Sequence, residues 1–276
     1  MLSIASRIIN DLKSKHPRYL INLVFNNPKV IYKYFRRISS NKWIKDYFDD
    51  DSEYLSLYKE INEWDQLSVT KDKLKDAFSN INGRTSRGNI YVDGIMKNLH
   101  VLNIYTLIRK KRPKIVIETG VCNGFSTNII LKALNMNGEG HLYSIDYPEF
   151  TDNRQYESKF WNGKGGAVVP SGKTSGWLVS EELKNRWTLY IGKSGDLLGN
   201  LLNDLNGIDI FIHDSEHSYH NQLFEFSTAY KHLRQNGLLI CSDINWSNAF
   251  DDFWKSVQSN SKRYFIDYSL SIIEKK

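Results

Sequence analysis

The stretch I-V-I-E-T-G-V-C-N-G-F-S, residues 115–126, decides how the rest of this chain is read. A run of β-branched residues ends in the acid Glu118. Two glycines four apart follow, Gly120 and Gly124, and then a segment whose apolar positions Ile129, Ile130, Ala133 and Leu134 recur at helical spacing. That is a strand, a glycine turn and a helix, and glycine in such a turn lets a ligand approach the backbone closely. A dinucleotide fingerprint needs glycines at offsets 0, 2 and 5. Counted from Gly120, those places hold Gly120, Cys122 and Phe125, so the fingerprint fails at two of three positions.

Downstream, short strand-like runs alternate with helix-like runs, the pattern of a parallel sheet covered on both faces. The strands expected are Ile115 to Glu118, His141 to Ile145, Trp187 to Ile191, Ile208 to His213, Leu238 to Ser242, and a last run from Tyr264 to Ile273 that is short for two strands. A helix is expected from Asn221 to Arg234, turning at Asn236-Gly237. Several strands are continuous apolar runs, as strands buried on both faces are. One connection, Tyr147 to Arg186, is far longer than the dozen or so residues a crossover needs. It reads as an inserted loop folding over substrate or cofactor as a lid, with Lys164, Lys173 and Trp177 as residues able to hold an acceptor.

Upstream, a helix is expected over Val92 to Lys110, ended by a basic run and Pro113. The Gly-, Ser- and Asn-rich stretch 80–89 marks a boundary between a helical extension, residues 1–85, and a main domain, residues 86–276. The expected fold is therefore α/β, a Rossmann-like doubly wound, mostly parallel sheet with a helical N-terminal extension.

Composition sets outer limits. With 276 residues, 41% hydrophobic and 25% charged, 17 Gly and 5 Pro, the chain is long enough for a substantial core and has no disordered signature. Cys122 and Cys241 form no CxxC pair, so neither a disulfide framework nor a zinc site is expected, and a reducing, cytoplasmic location fits. The longest apolar runs are well short of the ~20 residues that cross a bilayer. The net charge of +6 hides an asymmetry: residues 1–45 hold ten Lys or Arg against Asp11 alone, which leaves −3 for the remainder. Such a segment is commonly the solvated face of helices; it also suits peripheral contact with an anionic membrane surface or a polyanion.

Three further signals follow the first. Asp146 ends the run H-L-Y-S-I-D, Ser194 and Asp196 lie in G-K-S-G-D-L-L, and the fourth strand runs into H-D-S-E-H-S-Y, which contains Asp214 and His217. Asp243 follows in G-L-L-I-C-S-D-I-N-W. The motif E-x-G-x-x-x-G-x-S after a strand resembles motif I of class I S-adenosylmethionine-dependent methyltransferases. The I-D-I-F-I-H-D-x-x-H-x-Y stretch resembles the fourth motif of methyltransferase family 24, kin to macrocin O-methyltransferase and cephalosporin hydroxylase-like proteins. The resemblance spans about Lys114 to Phe253, and Cys122 stands where many members have a third glycine. It implies that Glu118, Gly120, Asn123, Gly124 and Ser126 surround the methionine part of S-adenosylmethionine, that Asp146 accepts from the ribose hydroxyls, that Ser194 or its neighbours face the adenine, and that Asp214 borders the cofactor.

O-methylation requires an acceptor hydroxyl to be deprotonated or polarised. His217 is the candidate general base, its ordinary pKa suiting neutral operation, with Asp214 beside it. The other device is Mg²⁺ or another divalent metal on carboxylates. Metal-dependent relatives use the acid of the fourth motif and an acid pair after the fifth strand. Here Asp214 and Asp243 fill two of these places while Ser242 replaces an acid, and Asn245 has the wrong spacing to compensate. The expected reaction is O-methylation of a small-molecule or glycan hydroxyl. The alternatives are a cephalosporin hydroxylase-like reaction and a donor-binding scaffold without catalysis. Trp246 is a candidate for lining the acceptor pocket. A nucleic-acid substrate is disfavoured by the acidic balance of the main domain and by the absence of an NPPY-type or catalytic-cysteine motif.

Overall fold

A computed structural model describes residues 42–79, 98–151 and 167–276. The basic residues before Lys42, the stretch 80–89, the start of the helix expected from Val92, and Lys164 lie outside the described residues.

Among the described residues, three helices come first: α1 (Lys42–Phe48), α2 (Asp51–Asn62) and α3 (Asp65–Ser79). Asp50 caps α2 by accepting from the Ser52 amide at 2.9 Å. Helix α4 (Asn98–Lys111) leads into strand β1 (Ile115–Thr119), and α5 (Phe125–Asn137), β2 (His141–Asp146), β3 (Trp187–Ile191), α6 (Ser194–Leu205), β4 (Ile208–His213), α7 (Tyr219–His232), β5 (Leu233–Cys241), α8 (Ala249–Val257), β6 (Ser261–Phe265) and β7 (Ser271–Lys275) follow. The seven strands form one sheet in the order β3-β2-β1-β4-β5-β7-β6. The first five are parallel, and β7 runs antiparallel to both β5 and β6. The Rossmann-like fold expected from the sequence is the fold present.

The helix expected from Asn221 to Arg234 runs instead from Tyr219 to His232, and two strands depart further from the sequence expectation. The run read as one strand, Tyr264 to Ile273, is a hairpin, because Asp267 accepts from the amides of Ser269 and Leu270 and turns the chain. The fifth strand starts five residues early, for Leu233 already pairs with Ile208. The pairing then shifts between Ile208 and Ile210, and Asn236 takes a φ of +62°, so the expected Asn-Gly turn is absorbed as a bulge within the strand.

Alternate residues of the central strands feed two cores. Val116, Ile210, Ile212 and Ile240 face α4, α5 and the amino-terminal helices. Ile117, Phe211, Leu239 and Ile273 face α6, α7 and α8. Both faces are apolar, and so the strand segments read as unbroken hydrophobic runs. Trp43, Phe48, Ile61, Leu67 and Leu74 of the extension belong to the first core. Polar ties reinforce that contact: Tyr54 donates to Asn103 at 2.7 Å, and Arg109 reaches Glu60 at 2.8 Å. No helix among the described residues is long and apolar enough to cross a membrane.

Because Ile61 is fully buried in this shared core, Ile61→Ala should lower unfolding stability by about 2–5 kcal/mol. A urea titration should show one cooperative transition displaced as a whole; a separate early transition for residues 42–79 would mean that they form an independent unit.

Candidate functional site

The carboxyl ends of β1, β2, β4 and β5 lie side by side, where ligands bind open α/β sheets. The turn after β1 is anchored to both neighbours: Gly120 donates to Ile145 O at 2.9 Å, and Asp214 donates to Thr119 O at 2.9 Å. Gly120 has a φ of +87°, and a Cβ there would collide with the backbone carbonyl of Asp214. Glycine is therefore required twice over, for its left-handed backbone and for the approach of β1's turn to β4's end. Gly124, also at +87°, lies under the inserted loop, where a Cβ would stand 2.7 Å from Gly176 Cα. Cys122, in place of a third glycine, keeps the left-handed backbone with φ +48°.

Glu118 points down from β1 into the interior and has no exposed surface. It accepts hydroxyl hydrogen bonds from Ser126 at 3.0 Å, Thr127 at 2.8 Å and Ser144 at 2.9 Å. Burial outweighs these donors and pushes its carboxyl from an ordinary 4.5 up to about 7. Glu118 and Ser126 are thus paired with each other beneath the turn. Asn123 ties the turn to the insertion, since its side chain donates to Val168 O at 3.0 Å and accepts from the Trp177 indole N–H at 2.7 Å.

Asp146, at the end of β2, accepts from the amides of Val121 at 3.0 Å and Cys122 at 3.2 Å. The Ser175 hydroxyl of the insertion adds a close hydrogen bond to the same carboxylate. Burial raises its pKa against the pull of these donors. The described part of the insertion, residues 167–186, is laid directly on the glycine turn: Gly176 donates to Cys122 O at 2.9 Å and Leu178 to Asn123 O at 3.1 Å. Its Lys173 ammonium sits 5.0 Å over the Trp177 ring. Ser175 is a residue the sequence reading did not single out; no motif marks a serine within a Gly- and Ser-rich loop. Ser194 lies at the start of α6 with its hydroxyl 3.2 Å from Asn221 Oδ1, at the foot of α7.

The second half of the site gathers on β4 and β5. Ligand atoms of Asp214, His217 and Asp243 all lie within 4.8 Å of one another. His217 immediately precedes Ser218, the cap of α7, whose hydroxyl accepts from the Asn221 amide at 3.3 Å. His217 Nε2 stands 3.2 Å from Asp243 Oδ2. Asp243 holds a left-handed φ of +48°, and its carbonyl accepts from Gln222 at 3.2 Å. Burial, and then the like charge of Asp243, drive the Asp214 carboxyl well above its ordinary range, although Ser242 donates to it. Two acids and an imidazole converging in this way form a donor set that suits a hard or borderline divalent cation. The sequence reading weighed His217 as a base and the acids as metal ligands; the fold puts all three in one cluster. The Trp246 ring lies 5.0 Å from that of His217 and is partly exposed.

Glu118 generates a pH signature. In the unfolded chain it ionises near 4.5, and in the folded chain near 7. The neutral acid therefore contributes stability that is complete below pH 4.5, declines as pH rises to 7, and is absent above. Relative to Glu118→Gln, which cannot ionise, the wild-type chain should lose on the order of 3 kcal/mol across that interval. Urea titrations of both proteins at pH 4.5, 6 and 7.5 check this; a constant difference would show that Glu118 ionises alike in both states.

Residues 117–244 match the profile of a methyltransferase domain family, number 24 in its series. No curated protein sequence matches the chain. Among solved structures, a caffeoyl-CoA O-methyltransferase candidate from Staphylococcus aureus superposes with a TM-score of 0.50 at 15% identity, over 82% of this chain and all of that one. An O-methyltransferase from Bacillus cereus, solved with SAH, gives 0.49 at 13% identity, over 76% and 90%. At 15% identity the first of these superpositions speaks to the fold alone. The profile match is confined to residues 117–244, the stretch that carries the glycine turn and the acids at successive strand ends, and over that stretch the chain is similar to methyltransferase domain family 24.

Proposed function

We propose that the chain binds S-adenosylmethionine over the ends of β1 and β2 and transfers its methyl group to a hydroxyl of a small-molecule or glycan acceptor. The observation that supports this reading best is the placement of the Asp214–His217–Asp243 cluster directly beside the Gly120 turn, with Gly120 against the Asp214 backbone. A donor on the turn and a hydroxyl at the cluster would then be neighbours, and holding two reactants in line is itself a large part of the rate.

Asp146 is the residue to accept the donor's ribose hydroxyls. Its carboxylate is already occupied by two amides and Ser175, so the hydroxyl of Ser175 is the group a ribose would displace. Asp214 and Asp243 would hold a divalent ion of the Mg²⁺ class, with His217 beside them as the base. Bound there, such an ion would lower the pKa of an acceptor hydroxyl. His217 Nε2 takes the hydroxyl proton as the oxygen attacks the methyl carbon. The carbon–sulfur bond breaks, its electrons return to sulfur, and the products are a methyl ether and S-adenosylhomocysteine. Trp246 beside His217 offers a ring face against which a sugar or aromatic acceptor can lie.

Calorimetric titration with S-adenosylhomocysteine, with and without Mg²⁺, tests the donor half. Binding should weaken about 10–100-fold in Asp146→Ala, as expected for losing a charged hydrogen-bond acceptor. Labelled-methyl transfer to a panel of hydroxylated metabolites and glycans tests the catalytic half, with His217→Ala expected to slow transfer by about 10²–10⁴ at little change in donor affinity. Failure of the wild-type chain to bind the nucleoside product would overturn the whole reading. Tight binding with no transfer to any acceptor would favour the scaffold instead.

A further inference from the structure

The carboxylate that would receive the donor's ribose is already in use. Asp146 Oδ2 accepts from the Cys122 amide at 3.2 Å and from the Ser175 hydroxyl. Those two donors fill the two lone pairs of that oxygen. The Val121 amide bonds the other oxygen, Oδ1, at 3.0 Å. A ribose spanning the carboxylate with both its hydroxyls must place one of them on Oδ2, where a donor has to give way.

The amides are held in place. Val121 and Cys122 belong to the turn that Gly120 locks against Ile145 O and the Asp214 backbone; Gly124 donates back to Val121 O at 2.8 Å, and Gly176 to Cys122 O at 2.9 Å. The loop that carries Ser175 is held as well. Before it, Val168 and Val169 have no exposed surface, and Val169 donates to Glu149 O at 2.8 Å. After it, Gly176 is wedged between Gly124 and the Trp187 ring, and the Trp177 indole is bonded to Asn123. Leu178 and Val179 lie in the core, and the Ser180 amide donates to Asn128 Oδ1 at 3.1 Å. Where the sequence suggested a lid, the described part of the insertion is a fixed roof. The Ser175 side chain alone is left to yield, by turning from one staggered rotamer to another.

We propose that Ser175 is a specificity residue of the donor site, whose hydroxyl stands in for one ribose hydroxyl and competes with it for Asp146. The competition has a definite sign. In the free chain the Ser175 hydroxyl bonds a charged acceptor, and such a bond is roughly twice as strong as one between neutral groups. Once displaced, it stays beside the ligand because its backbone is fixed, with the neutral ribose oxygens as its acceptors. Ser175 therefore weakens the hold on a donor that carries both hydroxyls. A nucleoside without the hydroxyl that takes its place leaves Ser175 on Asp146 and escapes the competition. The competition rests on the reading of Asp146 as the ribose acceptor.

Calorimetric titration of the full chain with S-adenosylhomocysteine and with its 2′-deoxy and 3′-deoxy analogues tests the competition. Ser175→Ala should bind S-adenosylhomocysteine about 3–10-fold more tightly than the wild-type chain. Ser175→Cys, close in shape but a weak donor, should tighten binding too. The gain should be absent for one of the two analogues, the one without the hydroxyl that replaces Ser175. Hydrogen exchange at the Gly176 and Leu178 amides should stay slow in the free and the bound chain, as a fixed roof requires. Weaker or unchanged binding of S-adenosylhomocysteine by Ser175→Ala overturns the competition and leaves the donor reading standing, since binding is still seen. An equal gain for all three ligands also overturns it, because a loosened loop acts on each alike. So does loss of amide protection on binding, for a loop that lifts takes Ser175 with it. If neither the wild-type chain nor Ser175→Ala binds S-adenosylhomocysteine, the donor reading falls and the competition falls with it.

Discussion

The contact of the Gly120 turn with the backbone of Asp214 is the constraint on which the arrangement of this molecule depends. It joins the strand that carries the glycine motif to the strand that carries the acid and histidine, with no room for even one carbon atom between them. The amide of Asp214 on Thr119 O and that of Gly120 on Ile145 O extend the sheet's hydrogen bonding one residue beyond the regular strands. Three strand ends are thereby locked in register. The glycine turn and the Asp214–His217–Asp243 cluster, about ninety residues apart in the chain, become neighbours by that lock.

The lock concentrates acids in a region that elsewhere would hold apolar side chains. Glu118, Asp146 and Asp214 are buried, or nearly so, at or beside the strand ends, and the buried Glu225 reaches the same region from α7 through Thr119. Their environments separate them by chemistry. Glu118 is surrounded by hydroxyls and pushed toward its neutral form, whereas Glu225, with an imidazole as its partner, is held as a carboxylate. Asp214 faces a like charge and so is the group that a cation would relieve. Divergent pKa values among close acids are a mark of a site in which different protonation states are wanted in different places.

Around that polar centre the apolar framework is continuous. The helices before residue 80 contribute Trp43, Phe48 and Ile61 to the same core as β1 and α5, and the insertion contributes Leu178, Val179 and Leu183. The insertion is thus more than a surface excursion in its described part: its backbone is hydrogen-bonded to the glycine turn, its Ser175 to Asp146, and its Gly176 is pressed against the Trp187 ring so closely that a side chain would not fit. Whatever binds at the turn must share it with this loop.

What the sequence by itself determined was the order of elements and the resemblance carried by residues 117–244. Apolar runs of strand length, glycines at positions 120 and 124, and acids at successive strand ends are local patterns, and each survives being read one dimension at a time. Ile208 to His213 was legible to the residue because a strand buried on both faces writes its limits in hydrophobicity, whereas Trp187 to Ile191, an edge strand with Tyr190 and Ile191 exposed, was legible from its run of aromatic and β-branched residues. The hairpin within Tyr264 to Ile273 and the bulge near Asn236 were not, for their limits come from Asp267 closing a turn and from Leu233 pairing early with Ile208. Only the tertiary structure decided the inner workings of the site. It seated Ser175 on Asp146, joined His217 to both acids, and ran a buried chain from Glu225 through His213 to His217. Hydrogen bonds between side chains far apart in sequence leave no periodicity behind, so nothing in the linear text distinguishes Glu225 from any other acid on a helix.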